Sequence, residues 1–411
     1  MPYGKIEDGL PKWHSKLRDK EENRINEKLD HPLVSYVPFA QLGKNLDFKE
    51  VVQEWGFSAV LLATGAWKDR PLPIEGIEDY VSKGLYYQNP FIYWYNHFHE
   101  PTYSGLAFET PDEAIIIGGG LASLDVAKAL MFQNVEKALR ARGYEENMFT
   151  LDRSIAKVLD KYNLTLADLE IKGCTIFYRR RIKDMPLSTQ PTHTPETLLK
   201  AQAIQEKIFK NYQSKYLFQI QPCTIPIDKI VEQDRLVGLV MQKTTIENGK
   251  VIAIPNSEYE VRSPLVISSI GSLPQPMEGI PMEWQTYNIL EDELCRIGSF
   301  SNAFAVGNAV TGRGNILESL KHSRHISATL ADQYLDATKQ VAQQIQEKES
   351  SVAAQVNQIS LQLPTVQDDT FTSINQKIKL LQKQVGYEGN YEAWVQPVSY
   401  THLTLPTICS V

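Results

Sequence analysis

Residues 113–132 read EAIIIGGGLASLDVAKALMF, and the fold turns on how they are parsed. Glu113–Ile117 reads as a strand buried on both faces, because its apolar run is continuous rather than alternating. Gly118-Gly119-Gly120 forms a tight turn, and Leu121–Phe132 a helix with Leu121, Leu124, Ala127 and Leu130 at helical spacing. Strand, GxGxx(small), helix is the pattern of a dinucleotide-binding unit. The first glycine allows the sharp turn, the second lets backbone approach a pyrophosphate, and a small third residue lets helix pack on sheet, with the phosphate on the helix N-terminus. Those positions are Gly118, Gly120 and Ser123, so the third glycine is replaced. A glycine-rich strand-to-helix turn without a ligand is the alternative.

Working outward, Cys174–Tyr178 is the next strand, and Arg179-Arg180-Arg181 follows it directly. A dinucleotide fold places there the residue that reads the adenosine ribose. An acid favours NAD, whereas arginines pair with a 2′-phosphate, so NADP is expected, against the alternative of a solvated basic turn. At the far end AFAVGNAVTGRGNILESL repeats the logic: Asn302–Val306 is a buried strand closing on Gly307, and a helix begins near Ile316, with amides suited to a second cofactor. A buried strand at Ser58–Ala63, a possible strand at Leu33–Pro38, a helix at Lys16–Leu29, β-rich stretches at Leu217–Thr224 and Arg235–Gln242, and a strand at Leu265–Ile270 ending at Gly271 complete the outline. The aromatic run around Tyr93, Trp94 and Tyr95 reads as core or interface.

Composition narrows the chemistry. The 411 residues are 42% hydrophobic and 22% charged, with a net charge of −7, and no long basic block favours a nucleic acid. No apolar run reaches the roughly 20 residues of a membrane span, and the first residues lack a signal-peptide stretch, so a cytoplasmic protein with no membrane partner is expected. Cys174, Cys223, Cys295 and Cys409 lie far apart, which excludes a CxxC redox pair. The eight histidines form no HExxH pair. A bound cofactor can still carry electron transfer.

Taken in order, LLATGA, IIIGGGLASLDVAKAL, YRRRIKDMP, LVISSIG and AVGNAVTGRGNILESL resemble the two-dinucleotide flavoproteins, specifically adrenodoxin-reductase-type ferredoxin:NADP reductases and the related glutamate synthase small subunit. The resemblance spans about Pro2 to Leu335. It implies an α/β protein of two Rossmann-like domains, an NADP domain at 105–270 inserted into an FAD domain at 1–104 and 271–337, then a helical tail at 338–397. It implies that Thr64 and Gly65 end a strand beside FAD, and that Gly118, Gly120, Leu121 and Ala122 hold the NADP pyrophosphate. Arg179 and Arg180 would take the 2′-phosphate, Gly271 would close LVISSIG at the cofactor, and Gly307, Asn308, Gly314, Asn315 and Ile316 would approach the flavin and its phosphates. The implied reaction is hydride transfer from NADPH to FAD, with electrons passing to an iron–sulfur electron-transfer protein or a large subunit. No separate catalytic side chain and no metal site is expected. A non-catalytic NADP-binding module or assembly subunit is the alternative.

The sequence departs from that family at three places. Asn308 stands where the family usually has an aspartate, which keeps an acceptor and loses a charge. The family's opening strand–GxGxxG–helix unit is not found before Tyr3-Gly4, so a fragment lacking the first FAD-binding βαβ is expected. At the other end VSYTHLTLPT, Val398–Thr407, is the translation of GTC TCT TAT ACA CAT CTG ACG CTG CCG ACG, a transposase adapter of short-read libraries. Val398–Val411 is therefore expected to be a sequencing artefact. In the tail before it, Ile374, Ile378, Leu381 and Val385 share one helical face suited to docking.

Overall fold

A computed structural model of the chain describes residues 3–188, 194–312, 314, 316–335 and 368–395. The glutamine-rich stretch 339–362, Asn315 and the adapter-like Val398–Val411 lie outside the described residues. In chain order the strands of three or more residues are β1 (Val60–Leu62), β2 (Leu85–Tyr87), β3 (Ile115–Gly118), β4 (Cys174–Tyr178), β5 (Phe218–Pro222), β6 (Thr224–Glu232), β7 (Arg235–Glu247), β8 (Lys250–Arg262), β9 (Val266–Ser269) and β10 (Ala303–Ala305). The longer helices are α1 (Ser15–Leu29), α2 (Gln88–His97), α3 (Leu121–Arg140), α4 (Pro195–Lys215), α5 (Ile316–Thr329) and α6 (Asp368–Gln384).

Two units divide the chain. One holds Glu7–Ser15 and Lys68–Ser272, and it interrupts the other, which holds 3–6, Lys16–Trp67 and the described residues from Leu273 onward. The expected α/β class, with one unit inserted in another along the chain, is the architecture observed.

The inserted unit is built on a parallel sheet of order β2-β9-β3-β4-β5. On one face Ile116 and Ile176 pack with Leu124, Ala127 and Leu130 of α3. On the other, Ile115, Ile117 and Phe177 pack with Leu236, Leu239 and Met241 of β7, which belongs to an antiparallel sheet β6-β7-β8. Helix on one side and meander on the other explain why β3 must be apolar throughout. Strand β8 escapes a reading by pattern because most of its side chains face solvent.

The expected boundary at 104/105 is displaced to 67/68, and residues 7–15 also change unit. Strand β2 is the reason for the first shift, since it pairs in parallel with β9 (Val266↔Leu85). Asn96 and Trp13 account for the second. The fully buried Asn96 amide donates to the carbonyls of Glu7, Asp8 and Leu10 at 3.1, 3.3 and 3.2 Å. The Trp13 ring lies 5.5 Å, centroid to centroid, from both Tyr95 and Phe132. Lys128 Nζ sits 4.5 Å over the same indole and pairs with Asp152, and burial holds its ammonium below the usual lysine range. Trp13→Ala opens a cavity between α2 and α3 and is expected to lower the stability of this unit by about 3–5 kcal/mol, read as a fall in the urea midpoint at unchanged slope.

In the outer unit β1 runs parallel to β10, in register Val60↔Ala303 and Leu62↔Ala305. Their inward residues join Phe48, Val52 and Ile297 in a core. Leu61, expected to be buried, is 37% exposed, whereas Leu62, on the opposite face of β1, is 5% exposed and joins this core. Leu33–Pro38 forms no strand: Leu33 and Val34 stay exposed, and Tyr36 turns edge-on to Tyr391 with centroids 5.2 Å apart. Helix α6 has Ile374 buried and Ile378 and Leu381 half-buried, while Leu380 faces out; Val385, half-buried, follows the helix end. Beyond it, Tyr391 Oη and Tyr3 Oη both donate to Asn26 Oδ1, at 2.8 and 2.9 Å.

Candidate functional site

Strand β3 delivers its three glycines to the N-terminus of the 20-residue helix α3, and each glycine meets a different constraint. A Cβ on Gly118 would lie 2.3 Å from Ser123 Oγ and 2.4 Å from the Ser269 carbonyl oxygen, so Gly118 is where helix and neighbouring strand close on the turn. On Gly119 it would sit 2.1 Å from the Tyr178 ring at the end of β4. On Gly120 it would meet nothing within 4 Å. That open space lies over the helix start, where the amides of Leu121 and Ala122 have no intrahelical acceptor. Gly120 caps α3 without a side chain, and no acid lies in the first turn. The helix therefore presents its positive end to an anion. Ser123 is fully buried beneath the loop, its hydroxyl 3.5 Å from the Ser269 carbonyl.

Tyr178 ties the second element to the first, so the arginines follow directly beside the glycine loop. The three differ in what they touch. Arg181 is bidentate to Asp184, at 2.7 and 3.1 Å. Arg180 is half-buried and donates from Nη2 to the Gly249 carbonyl at 3.0 Å. Arg179 is exposed, and no described residue is hydrogen-bonded to its guanidinium. Gly271, at φ +101°, follows β9, and its carbonyl accepts from the Arg70 amide at 3.0 Å. Gly118, Gly120, Leu121, Ala122, Ser123, Arg179, Arg180 and Gly271 thus all belong to the inserted unit.

The other expected residues gather in the outer unit, past the C-terminal ends of β1 and β10, where ligands of parallel sheets sit. Thr64 Oγ1 lies 3.3 Å from Tyr287 Oη, and Gly65 has φ +70°. Gly307 has φ +72° and ψ −141°, a conformation closed to other residues, and its amide donates to His322 Nδ1 at 3.1 Å. Burial and the neighbouring His325 hold His322 below the usual histidine range. Because Nδ1 accepts the Gly307 amide hydrogen, Nε2 is the ring nitrogen left to face Cys295 Sγ, at 3.7 Å. Asn308 Oδ1 accepts from the Gly314 amide at 2.6 Å, and Ile316 opens α5. Asn315 is outside the described residues.

Sequence reasoning missed Tyr178, Tyr287 and His322, each of which touches a glycine or threonine of these clusters from a distant position. It also missed His14, whose Nε2 lies 3.2 Å from Asp125 Oδ1 on the first turns of α3. The only available signal for His14 was the aromatic pair Trp13-His14 in a polar stretch. Among the described residues no group of three or more His, Cys, Asp or Glu could hold a metal ion, and no helix is long and apolar enough to cross a membrane.

Two α/β units, one inserted in the other along the chain, with a glycine loop feeding a helix start, make up the architecture. FprA from Mycobacterium tuberculosis, solved also in complex with NADPH, superposes with a TM-score of 0.61 at 21% identity, over 83% of this chain and 77% of its own. By sequence the chain is a homologue of the mitochondrial NADPH:adrenodoxin oxidoreductase of Arabidopsis thaliana, 27% identical over 317 residues, and of the ferredoxin–NADP reductase of Pediococcus pentosaceus, 30% identical over 132 residues. These alignments cover 69% and 30% of this chain. The chain spans 62% of the length of the first relative and 35% of the second. No protein-family model matches it.

Proposed function

We propose that this chain supplies the NADPH site and part of the FAD site of an oxidoreductase of the adrenodoxin-reductase type, which reduces an iron–sulfur protein at the expense of NADPH. The observation that carries the reading is the open cradle over Gly120 at the start of α3, beside the exposed Arg179. A pyrophosphate fits there: the space is empty of protein, the Leu121 and Ala122 amides donate into it, and the helix dipole favours its charge. Arg179, with Arg180, holds the 2′-phosphate by charge-assisted hydrogen bonds. In the outer unit Thr64, Gly65, Gly307, Asn308, Gly314 and Ile316 lie where a flavin nucleotide would rest on two strand ends, and the left-handed Gly65 and Gly307 let backbone approach it. Bound FAD supplies the capacity to accept hydride as an electron pair and to release electrons one at a time. The names of the two sequence relatives support both the nucleotide and the partner class. Calorimetric titration of the purified chain with NADP⁺ and with NAD⁺ tests the nucleotide site. NADP⁺ is expected to bind at least roughly tenfold more tightly; equal affinities exclude the assignment.

A further inference from the structure

Contacts from β7, from Cys223 and from the Gly249 turn converge on Arg179 and Arg180. Strand β7 carries a register shift between Gln242 and Thr244, where it passes β8. Such a bulge re-aims the residue beside it. Thr244 is 4% exposed, and its hydroxyl donates to the Arg179 carbonyl at 3.0 Å. The Thr244 amide donates to the Cys223 carbonyl at 2.7 Å, and the Cys223 amide donates to the Arg180 carbonyl at 3.0 Å. Cys223 itself stands at φ +52°, a strained conformation that persists where surrounding contacts hold it. At the tip of the same meander, the Gly249 carbonyl accepts from the Arg180 guanidinium.

From this geometry we propose that Thr244 is a specificity-determining positioning residue: its hydroxyl fixes the Arg179 backbone so that the arginine side chains face a 2′-phosphate and set the preference for NADP over NAD. The inference rests on the reading of Arg179 and Arg180 given above. The Arg179 carbonyl is anchored to Thr244 of the meander and the Arg180 carbonyl to Cys223 just before it, so the peptide between them has little freedom to rotate. The Arg179 side chain then reaches out from a fixed Cα, and less ordering entropy is lost when it meets an anion. Arg180 starts on a neutral carbonyl acceptor, which a doubly charged phosphate readily replaces. The meander thereby acts on the nucleotide without touching it.

The test compares equilibrium binding of NADP⁺ and NAD⁺ to the purified chain and to Thr244→Val, Thr244→Ser and Arg179→Ala. Valine keeps the shape and deletes the donor, and the ratio of NADP⁺ to NAD⁺ affinity is expected to fall roughly threefold to tenfold, with NAD⁺ affinity unchanged. Serine keeps the donor and is expected to keep the ratio. If Thr244→Val does not fold, Thr244→Ala against Thr244→Ser reads the same ratio. Equal weakening of both nucleotides, or an unchanged ratio in the valine and alanine variants, overturns the proposal and leaves Thr244 a packing residue. An unchanged ratio in Arg179→Ala instead overturns the arginine assignment on which the proposal rests.

Discussion

Replacing Arg179 and Arg180 together by alanine is expected to weaken NADP⁺ binding by roughly 30- to 300-fold, equivalent to about 2–3.4 kcal/mol, and to leave NAD⁺ binding within about twofold. The magnitude follows from two charge-assisted hydrogen bonds to a phosphate, less the contact that Arg180 gives up at the Gly249 carbonyl, 3.0 Å away. The same exchange predicts an asymmetry between the single variants. The Arg179 side chain is exposed and its guanidinium holds no hydrogen-bond partner among the described residues, so Arg179→Ala carries the larger share of the loss. Arg181 is already bidentate to Asp184, and Arg181→Ala is expected to change nucleotide preference little. Lysine is a poor substitute at Arg179, because it meets the phosphate as a point charge rather than as a planar fork. Titrations at two salt concentrations separate the effect from general basicity: the NADP⁺ advantage shrinks as salt rises in the native chain and is already absent from the double variant. A double variant that keeps its preference for NADP⁺ would show that the 2′-phosphate is read elsewhere.

What the sequence revealed and what it hid divide along the range of the interactions. The β3–glycine–α3 joint was legible because its constraints are local: a doubly buried strand must be apolar along its length, and a helix starting on glycines must have room above it. Ser123 under the loop follows the same logic, since only a small side chain fits between α3 and β9. The unit boundary was not legible. Residues 7–15 join the inserted unit through Asn96, some 86 to 89 positions away, and through edge-to-face packing of Trp13 on α2 and α3, and neither leaves a periodic mark. Thr244 lies 65 positions from Arg179 and reads as one more polar residue of a strand. Strand β8 and the exposure of Leu61 show the converse limit: an amphipathic pattern reports which face is covered only when something covers it. In the outer unit TGRGN announced a glycine-rich turn but not the His322 imidazole that takes the Gly307 amide.

Gly118→Ala and Gly120→Ala are expected to fail in opposite ways, which makes the pair a sharp probe of the loop. At Gly118 the new methyl collides with Ser123 Oγ and with the Ser269 carbonyl, and the second of these is backbone of the neighbouring parallel strand β9, paired Ser269↔Gly118. The sheet cannot yield without breaking its ladder, so the substitution is expected to cost about 2–4 kcal/mol of stability. Adding Ser123→Ala removes one of the two clashes and is expected to recover less than half of that loss, because the carbonyl remains. At Gly120 the backbone has φ −92° and ψ 178°, an extended conformation that alanine adopts freely, and the methyl enters open space. Stability should change by about 1 kcal/mol or less, the usual difference at a helix N-cap. The same methyl, however, occupies the closest approach of a pyrophosphate to the start of α3, and nucleotide affinity is expected to fall about tenfold or more. Thermal unfolding and calorimetric titration on both variants read the two effects separately. A Gly120→Ala chain that binds NADP⁺ as tightly as the native one would move the phosphate away from this helix, since no other consequence of that methyl offsets the lost space.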